Sequence, residues 1–337
     1  MPHPAGVRHD RQAGRAGIAL AAVTAAVALA AIVPVLTPTS ASAVTVPPGS
    51  TSYYVSRNDI TWAYNEGRAL GAADLAAAGT QTHVAVLDFG ALYLSGSTWY
   101  VTAFSGPDMT LAQARVMAEQ FGHGYWVGAG SDLTSTLDVG LGTNNSAGTI
   151  TAAAGAALAA AAATGWANTQ AAGWTQAYVI GANDFEAWGL SASHSTASAS
   201  WIDGYNGYSG HKWFVNYGGA DGCPSAAIPG AGSCNAGLNA ETIWRVSWSG
   251  TAYPLPEIYN TAGTQAKQWK YLSLYSVNAH GTKFVFKGAM TQLGACGTGC
   301  PGTNNSPTTG WTQLYNAINS DSRTTGTPGG PTDIRWQ

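Results

Sequence analysis

Four acidic residues set in apolar surroundings carry the chemistry legible in this sequence. Asp88 ends the run VAVLDF, Asp184 and Glu186 follow YVIGAN, and Glu257 lies within PLPEIY. A buried ionised carboxylate costs several kcal/mol unless it is paired or hydrogen-bonded. Each of the four is therefore either functional or held by a specific partner. Asp184 and Glu186 stand at i and i+2 of an extended segment, which turns both to one face with Cα atoms roughly 6.5 Å apart. Like charges that close push at least one pKa upward. A carboxyl that keeps its proton beside an ionised one suits cleavage of a glycosidic bond. One group protonates the leaving oxygen, and the other stabilises the developing cation or activates the attacking group. Glu186 has the longer reach and is the expected acid, with Asp184 as its partner. The competing reading is an acid pair that only orders its loop by hydrogen bonding.

Residues suited to binding sugar rings accompany the acids. Trp188 follows Glu186 by two positions, Tyr217, Trp248 and Tyr259 stand at the ends of expected later strands, and Gln292 follows FKGAM. Aromatic rings offer flat apolar faces with polar tips. Trp213, Trp244 and Trp269 are expected in the core instead. Other chemistries leave no motif: there is no G-x-S-x-G elbow, P-loop, H-E-x-x-H or EF-hand loop, and the seven His form no H-x-x-x-H group. No cofactor and no metal site are expected.

The elements needed to bring these residues together follow from periodicity. Helices are expected over 59–79, with Asp59 as cap and Gly79 as stop, and over 110–121, capped by Thr110 and stopped by Gly122. Further helices are expected over the Ala-rich stretch near 150–172, then near 194–207, 261–271 and 311–319. Strands are expected at 83–89, 124–128, 137–142, 176–182, 213–217, 243–248, 254–259 and 284–290, with a hairpin at 91–95 and 98–104. Strand alternating with helix implies a mainly parallel sheet. Its count of about eight favours an irregular closed (β/α)8 TIM-like barrel, with an open parallel α/β sheet as the alternative. In a barrel, 83–89 and 284–290 would meet at closure, and Asp88, Asp184 and Glu186 would share one mouth.

The chain has 337 residues, of which 9% are charged and 45% hydrophobic, with 13 Trp. That composition excludes wholesale disorder. With Lys+Arg at 14 and a net charge of −3, no nucleic-acid footprint is expected. Arg8, Arg11 and Arg15 precede an apolar run at 16–36 and then TPTSASA, with Ala41 and Ala43 in an A-x-A arrangement. This is the layout of a signal peptide (residues 1–43) cut after Ala43, leaving one secreted domain over 44–337 with no stable membrane anchor. An uncleaved anchor is the alternative. Export makes disulfides plausible. The expected pairs are local, Cys223 with Cys234 and Cys296 with Cys300, and a zinc site is the weaker alternative because no His stands at ligand spacing.

The segments VAVLDFGA (84–91), IGANDFEAW (180–188), WIDGY (201–205), NYGGADGCP (216–224) and PEIY (256–259) resemble motifs of secreted bacterial proteins of unknown function that are predicted to be glycoside-hydrolase-like barrels. The resemblance spans about 80–335. More distantly, D-F-E is similar to the D-x-E of family 25 muramidases and family 18 chitinases, where the Glu is the acid and the Asp its helper. That similarity implies those roles for Glu186 and Asp184, and Asp88 resembles the first-strand Asp of the muramidase barrels. The longer D-x-x-D-x-D-x-E run is missing, since Ala182 and Asn183 precede Asp184, which speaks against substrate-assisted chitin cleavage. The implied function is hydrolysis of cell-wall or amino-sugar polysaccharide, with peptidoglycan as a partner. A non-catalytic glycan-binding protein on the same barrel is the alternative, and a structural or adhesion protein a third. N-terminal sequencing of secreted material should read Val44 first; a start before Gly17 would overturn the export reading.

Overall fold

A computed structural model describes residues 44–145, 147–186 and 194–337, the side chain of His194 excepted. The expected signal segment and Trp188 lie outside the described residues. In chain order the first elements are β1 (Ser50–Tyr54), α1 (Ile60–Ala76), β2 (Thr82–Ser95), β3 (Thr98–Val101), β4 (Met109–Thr110), α2 (Leu111–Ala129), β5 (Thr136–Asn144), α3 (Ala152–Ala171) and β6 (Ala177–Asp184). There follow α4 (His194–Gly207), β7 (Phe214–Asn216), α5 (Ala240–Trp248), β8 (Ala252–Pro254), α6 (Thr264–His280), β9 (Met290–Thr291), α7 (Leu293–Cys296), α8 (Pro307–Ile318) and β10 (Thr332–Trp336).

Eight strands form one parallel sheet in the order β8-β7-β6-β5-β2-β1-β10-β9, and β3 and β4 extend β2 as an antiparallel appendage. The sheet curls until its two ends touch. There the continuous ladder is replaced by a single parallel bridge, Glu257 with Met290, flanked by Ile258 N–H to Met290 O and Met290 N–H to Pro256 O, both 2.8 Å. The segment after β8 reads PLPEIY, and its prolines supply no N–H to a ladder. The fold is thus a mixed α/β one, a curled parallel eight-stranded sheet flanked by helices. The irregular closed (β/α)8 barrel of the first expectation is not what forms; the alternative, an open parallel α/β sheet, describes it better.

Strand alternation divides the core into an inside and an outside. Val84, Val86, Ile180, Ala182, Val215, Leu255, Met290 and Ile334 pack together inside the curl, although they come from strands far apart in the sheet order. Their neighbours Ala85, Leu87, Leu137, Leu141 and Val179 face outward and pack with the helices of the first half. Inside, near the N-terminal ends of the strands, Asp138 is paired with Lys287 (Nζ to Oδ2, 3.2 Å). The same ammonium lies over the rings of Trp213 and Tyr253.

Glycine sets the spacing of the outer helices. A Cβ at Gly67 would lie 1.9 Å from Phe121 O, and one at Gly124 1.9 Å from Tyr64 O, so α1 and α2 touch backbone to backbone. Gly155 and Gly204 do the same between α3 and α4. This explains two corrections. Gly122 does not stop α2, and the expected strand 124–128 belongs to that helix, because its glycines serve contact rather than termination. The expected strand 243–248 is α5, capped by Asn239 Oδ1 on Thr242 N–H (2.9 Å). The strands β1 and β10 were not anticipated. They stand between β2 and β9, so 83–89 and 284–290 are not neighbours.

Both expected disulfides are present, Cys223–Cys234 and Cys296–Cys300, and they rule out zinc on these thiols. They are consistent with an extracellular protein. No helix among the described residues is long and apolar enough to cross a membrane. In an exposed helix interior Gly→Ala gains about 1 kcal/mol. Gly124→Ala should instead destabilise by about 1–3 kcal/mol through overpacking. Gly207→Ala, where nothing lies within 4 Å, should cost nothing comparable; urea titration of both variants checks this.

Candidate functional site

Strand alternation carries four side chains from the apolar interior into the mouth at the C-terminal ends of the strands. Asp88 lies two residues beyond Val86, Asp184 two beyond Ala182, Tyr217 two beyond Val215, and Glu257 two beyond Leu255. Within D-F-E the intervening Phe185 turns outward onto Trp201 and Phe214, which leaves Asp184 and Glu186 on the inner side. Carboxylate oxygens of Asp184, Glu186 and Glu257 lie within 4.8 Å of one another. Asp88 adjoins them, near enough for its charge to act on both Asp184 and Glu257.

The backbone around the acids is pinned by amides. Asn144 Nδ2 donates to Asp184 Oδ2 (2.7 Å), and Glu186 N–H donates to Asn145 Oδ1 (3.0 Å). Asn216 Oδ1 accepts from Gly218 N–H at 3.0 Å and, more weakly, from Phe185 N–H at 3.4 Å, tying the ends of β6 and β7 together. Asp88 Oδ1 accepts from Gly90 N–H (2.9 Å), a turn made possible by the positive φ of Gly90. Asp88 Oδ2 and Asp184 Oδ1 are buried without a hydrogen-bond partner among the described residues.

The mouth opens into a cleft of about 670 Å³ lined by Tyr54, Glu186, Asp221, Glu257, Tyr259, Gln265, Gln268 and Gln292. A Cβ at Gly219 would stand 3.1 Å from Glu257 Oε2 and 3.5 Å from Asp221 Oδ2, so glycine there leaves both carboxylates room to converge. Both disulfides border this cleft. Cys300 lines it, and the Cys223–Cys234 loop is held to the Asp221 backbone through Asn235 N–H (2.9 Å).

Burial is the main force on every acid here. It pushes Asp88 up to about 7, against the opposing pull of the Gly90 N–H and the nearby Tyr217 hydroxyl. It pushes Glu186 up to about 7, helped by the charge of Asp221. Asp184 and Glu257 are driven well above the usual carboxylate range by burial and then by the neighbouring acids, with a Tyr259 hydroxyl bond opposing the shift at Glu257. Among the described residues no cation contributes at any of them. The hydroxyls of Tyr54, Tyr217 and Tyr259 are held in their protonated form by burial and by the same acids. The arrangement can store protons, deliver them to a ligand, or neutralise a bound cation.

Asp88, Asp184, Glu186 and Glu257 are thus brought together as expected, and Tyr259 and Gln292 line the cleft. Gln292 Nε2 donates to Thr303 O (2.9 Å). Tyr217 is a correction: it is fully buried beneath the acids and donates to Thr143 O (2.8 Å) rather than forming the rim. Trp248 is another. Because 243–248 is a helix leading into β8, its ring lies by Tyr253 near the opposite end of the strands and donates to Thr282 Oγ1 (3.0 Å). Sequence reasoning missed Tyr54, Asp221, Gln265 and Gln268. Asp221 had a signal, as the acid inside NYGGADGCP; the glutamines on α6 had none.

An acid whose pKa is raised in the native state binds protons there that the unfolded chain has already lost. Stability therefore falls as pH rises from about 4 to about 7, by about 1.4 kcal/mol per pH unit for each of Asp88 and Glu186. The melting temperature should accordingly be higher at pH 5 than at pH 8, and Asp88→Asn should flatten that difference; equal slopes in wild type and variant would contradict it. No protein-family profile matches this chain, and no curated protein matches it.

Proposed function

We propose that the cleft is the active site of a secreted glycoside hydrolase acting on cell-wall or amino-sugar polysaccharide, with Glu186 as proton donor. The observation that carries this reading is a half-buried Glu186 at the cleft, pushed up to about 7 and within 4.8 Å of a second cleft-lining carboxyl, Glu257. In this reading the acids occupy the C-terminal strand ends of the curled parallel sheet, the position at which parallel α/β barrels carry their chemistry.

Glu257 first gives up the proton that burial favours; Glu186 then protonates the leaving oxygen as the glycosidic bond breaks, and the Glu257 carboxylate bonds the sugar carbon from the other side. Water then attacks that carbon and displaces the Glu257 carboxylate, while Glu186, now the base, takes a proton from the attacking water. The close spacing favours retention, for which carboxyls sit about 5–5.5 Å apart, over inversion at about 6.5–9.5 Å. The Tyr259 hydroxyl favours the charged form of Glu257. Tyr54 and Tyr259 line the cleft, where aromatic surface suits a sugar. Burial, helped by the charge of Asp221, holds Glu186 in its proton-bearing state.

Release of reducing ends from peptidoglycan, chitin and β-glucans is the test. Glu186→Gln should lower turnover by about 10²–10⁴-fold while leaving the melting temperature at pH 5 near that of wild type. No turnover in either form, with glycan affinity altered by the substitution, would replace the hydrolase with a glycan-binding protein.

A further inference from the structure

We propose that the mouth of the sheet binds one calcium ion, held by carboxylate oxygens of Asp184, Glu186 and Glu257. The inference goes beyond the hydrolase reading and does not depend on it. It starts from oxygens that the protein leaves without donors. Asp184 is 5% exposed, and its Oδ1 has no partner among the described residues; the same is true of Oδ2 of Asp88, which is wholly buried beside it. Outside the acid group, Gln268 lines the same cleft and is 6% exposed. Its Nε2 is committed to Cys223 O (3.0 Å), and its Oε1 is unpartnered. Three buried acceptors at or behind the cleft therefore lack what an acceptor needs, and among the described residues no cationic side chain acts on the acids. A proton satisfies one oxygen at a time, whereas a metal ion satisfies several together.

The donor set selects the ion. Only oxygen is on offer: the set contains no His, and all four cysteines are tied in disulfides. That chemistry suits a hard cation. Calcium takes six to eight oxygens at about 2.3–2.6 Å, so two of its ligands can lie up to about 5 Å apart, whereas magnesium at about 2.0–2.1 Å spans little more than about 4 Å and demands an octahedron. The three carboxylates, within 4.8 Å of one another, fall inside the larger ion's reach, and their irregular placement does not require an octahedron. The open cleft leaves room for water to complete its shell. Glu186 cannot ligate the ion and deliver a proton at once, so bound calcium and acid catalysis exclude each other.

The test uses the secreted chain after chelator treatment, with calcium titrated calorimetrically and terbium luminescence excited through the nearby tyrosines. One ion per chain is expected, with magnesium at least about tenfold weaker. Calcium affinity should fall in the range about 10⁻⁴–10⁻³ M known for extracellular modules. Glu257→Gln and Glu186→Gln should each weaken binding at least about tenfold. Asp203→Asn, at an exposed acid paired with Arg245, should leave it unchanged. Glu186 is only half-buried, so its variant serves if Glu257→Gln fails to fold. No saturable signal up to about 10 mM calcium, or binding undiminished by the folded variants, would overturn the proposal. Since no glycan is present, an inactive protein that binds calcium would sink only the hydrolase reading, and an active one that ignores calcium only this one.

Discussion

Uncompensated negative charge in a low-dielectric pocket is the constraint around which the mouth of this protein is built. The chain shows elsewhere how it handles a buried acid that has only to be stable. Asp138 meets Lys287 at the other end of the sheet, and Asp74 is held between His83 Nε2 at 2.8 Å and the Tyr125 hydroxyl at 2.7 Å. At the mouth no base is supplied. The acids are met by side-chain amides, backbone N–H groups and tyrosine hydroxyls, which lower the cost of charge without cancelling it. Removing carboxylates from water costs several kcal/mol each, so a site that retains this cost is poised to take up protons, a cation or a ligand that carries donors.

The rest of the interior makes such a pocket possible by being small. Where inward positions could carry bulk, β5 has Gly140 and Gly142, and a Cβ at Gly142 would come within 2.8 Å of Leu87 O and 3.1 Å of the Asp88 Cα. Gly181, on the outer side of β6, admits Tyr205, whose hydroxyl accepts its N–H at 3.2 Å. The outer helices are drawn in by glycine as well. Through its backbone contact with α1, α2 packs as part of a tight pair on β5 and β2, the strands that carry Asn144 and Asp88. Rigidity there matters, because carboxylates that repel each other stay together only where the backbone gives them no way to part.

The lip of the cleft is held differently. It consists of loops, and the disulfides serve them rather than the core. Cys223–Cys234 braces the loop carrying Asp221, and Cys296–Cys300 braces the turn after Gln292. A short covalent loop restricts local freedom with little demand on the hydrophobic core. The acids of the interior are thus positioned by strands, and those of the lip by cross-links that require an oxidising compartment.

Sequence alone determined whatever depends on local pattern. The carboxylates could be singled out because charge is scarce here and each stands in an apolar run, where it is costly. Period-two alternation then put Asp184 and Glu186 on one face. The capped helices at Asp59 and Thr110 and the local cysteine pairs are equally local facts. What escaped depended on packing. Glycine in α2 looked like a terminator and is a contact surface, because only the partner helix shows why a side chain would not fit. IWRVSW has the composition of a strand but forms a helix once Asn239 caps it, and that moved Trp248 to the wrong end. The pairing of β1 with β10 joins residues more than 270 positions apart, which no window of sequence contains. The meeting of Glu257 with Asp184 across the mouth was likewise decided only by how far the sheet curls, a property of the whole strand set and not of any segment.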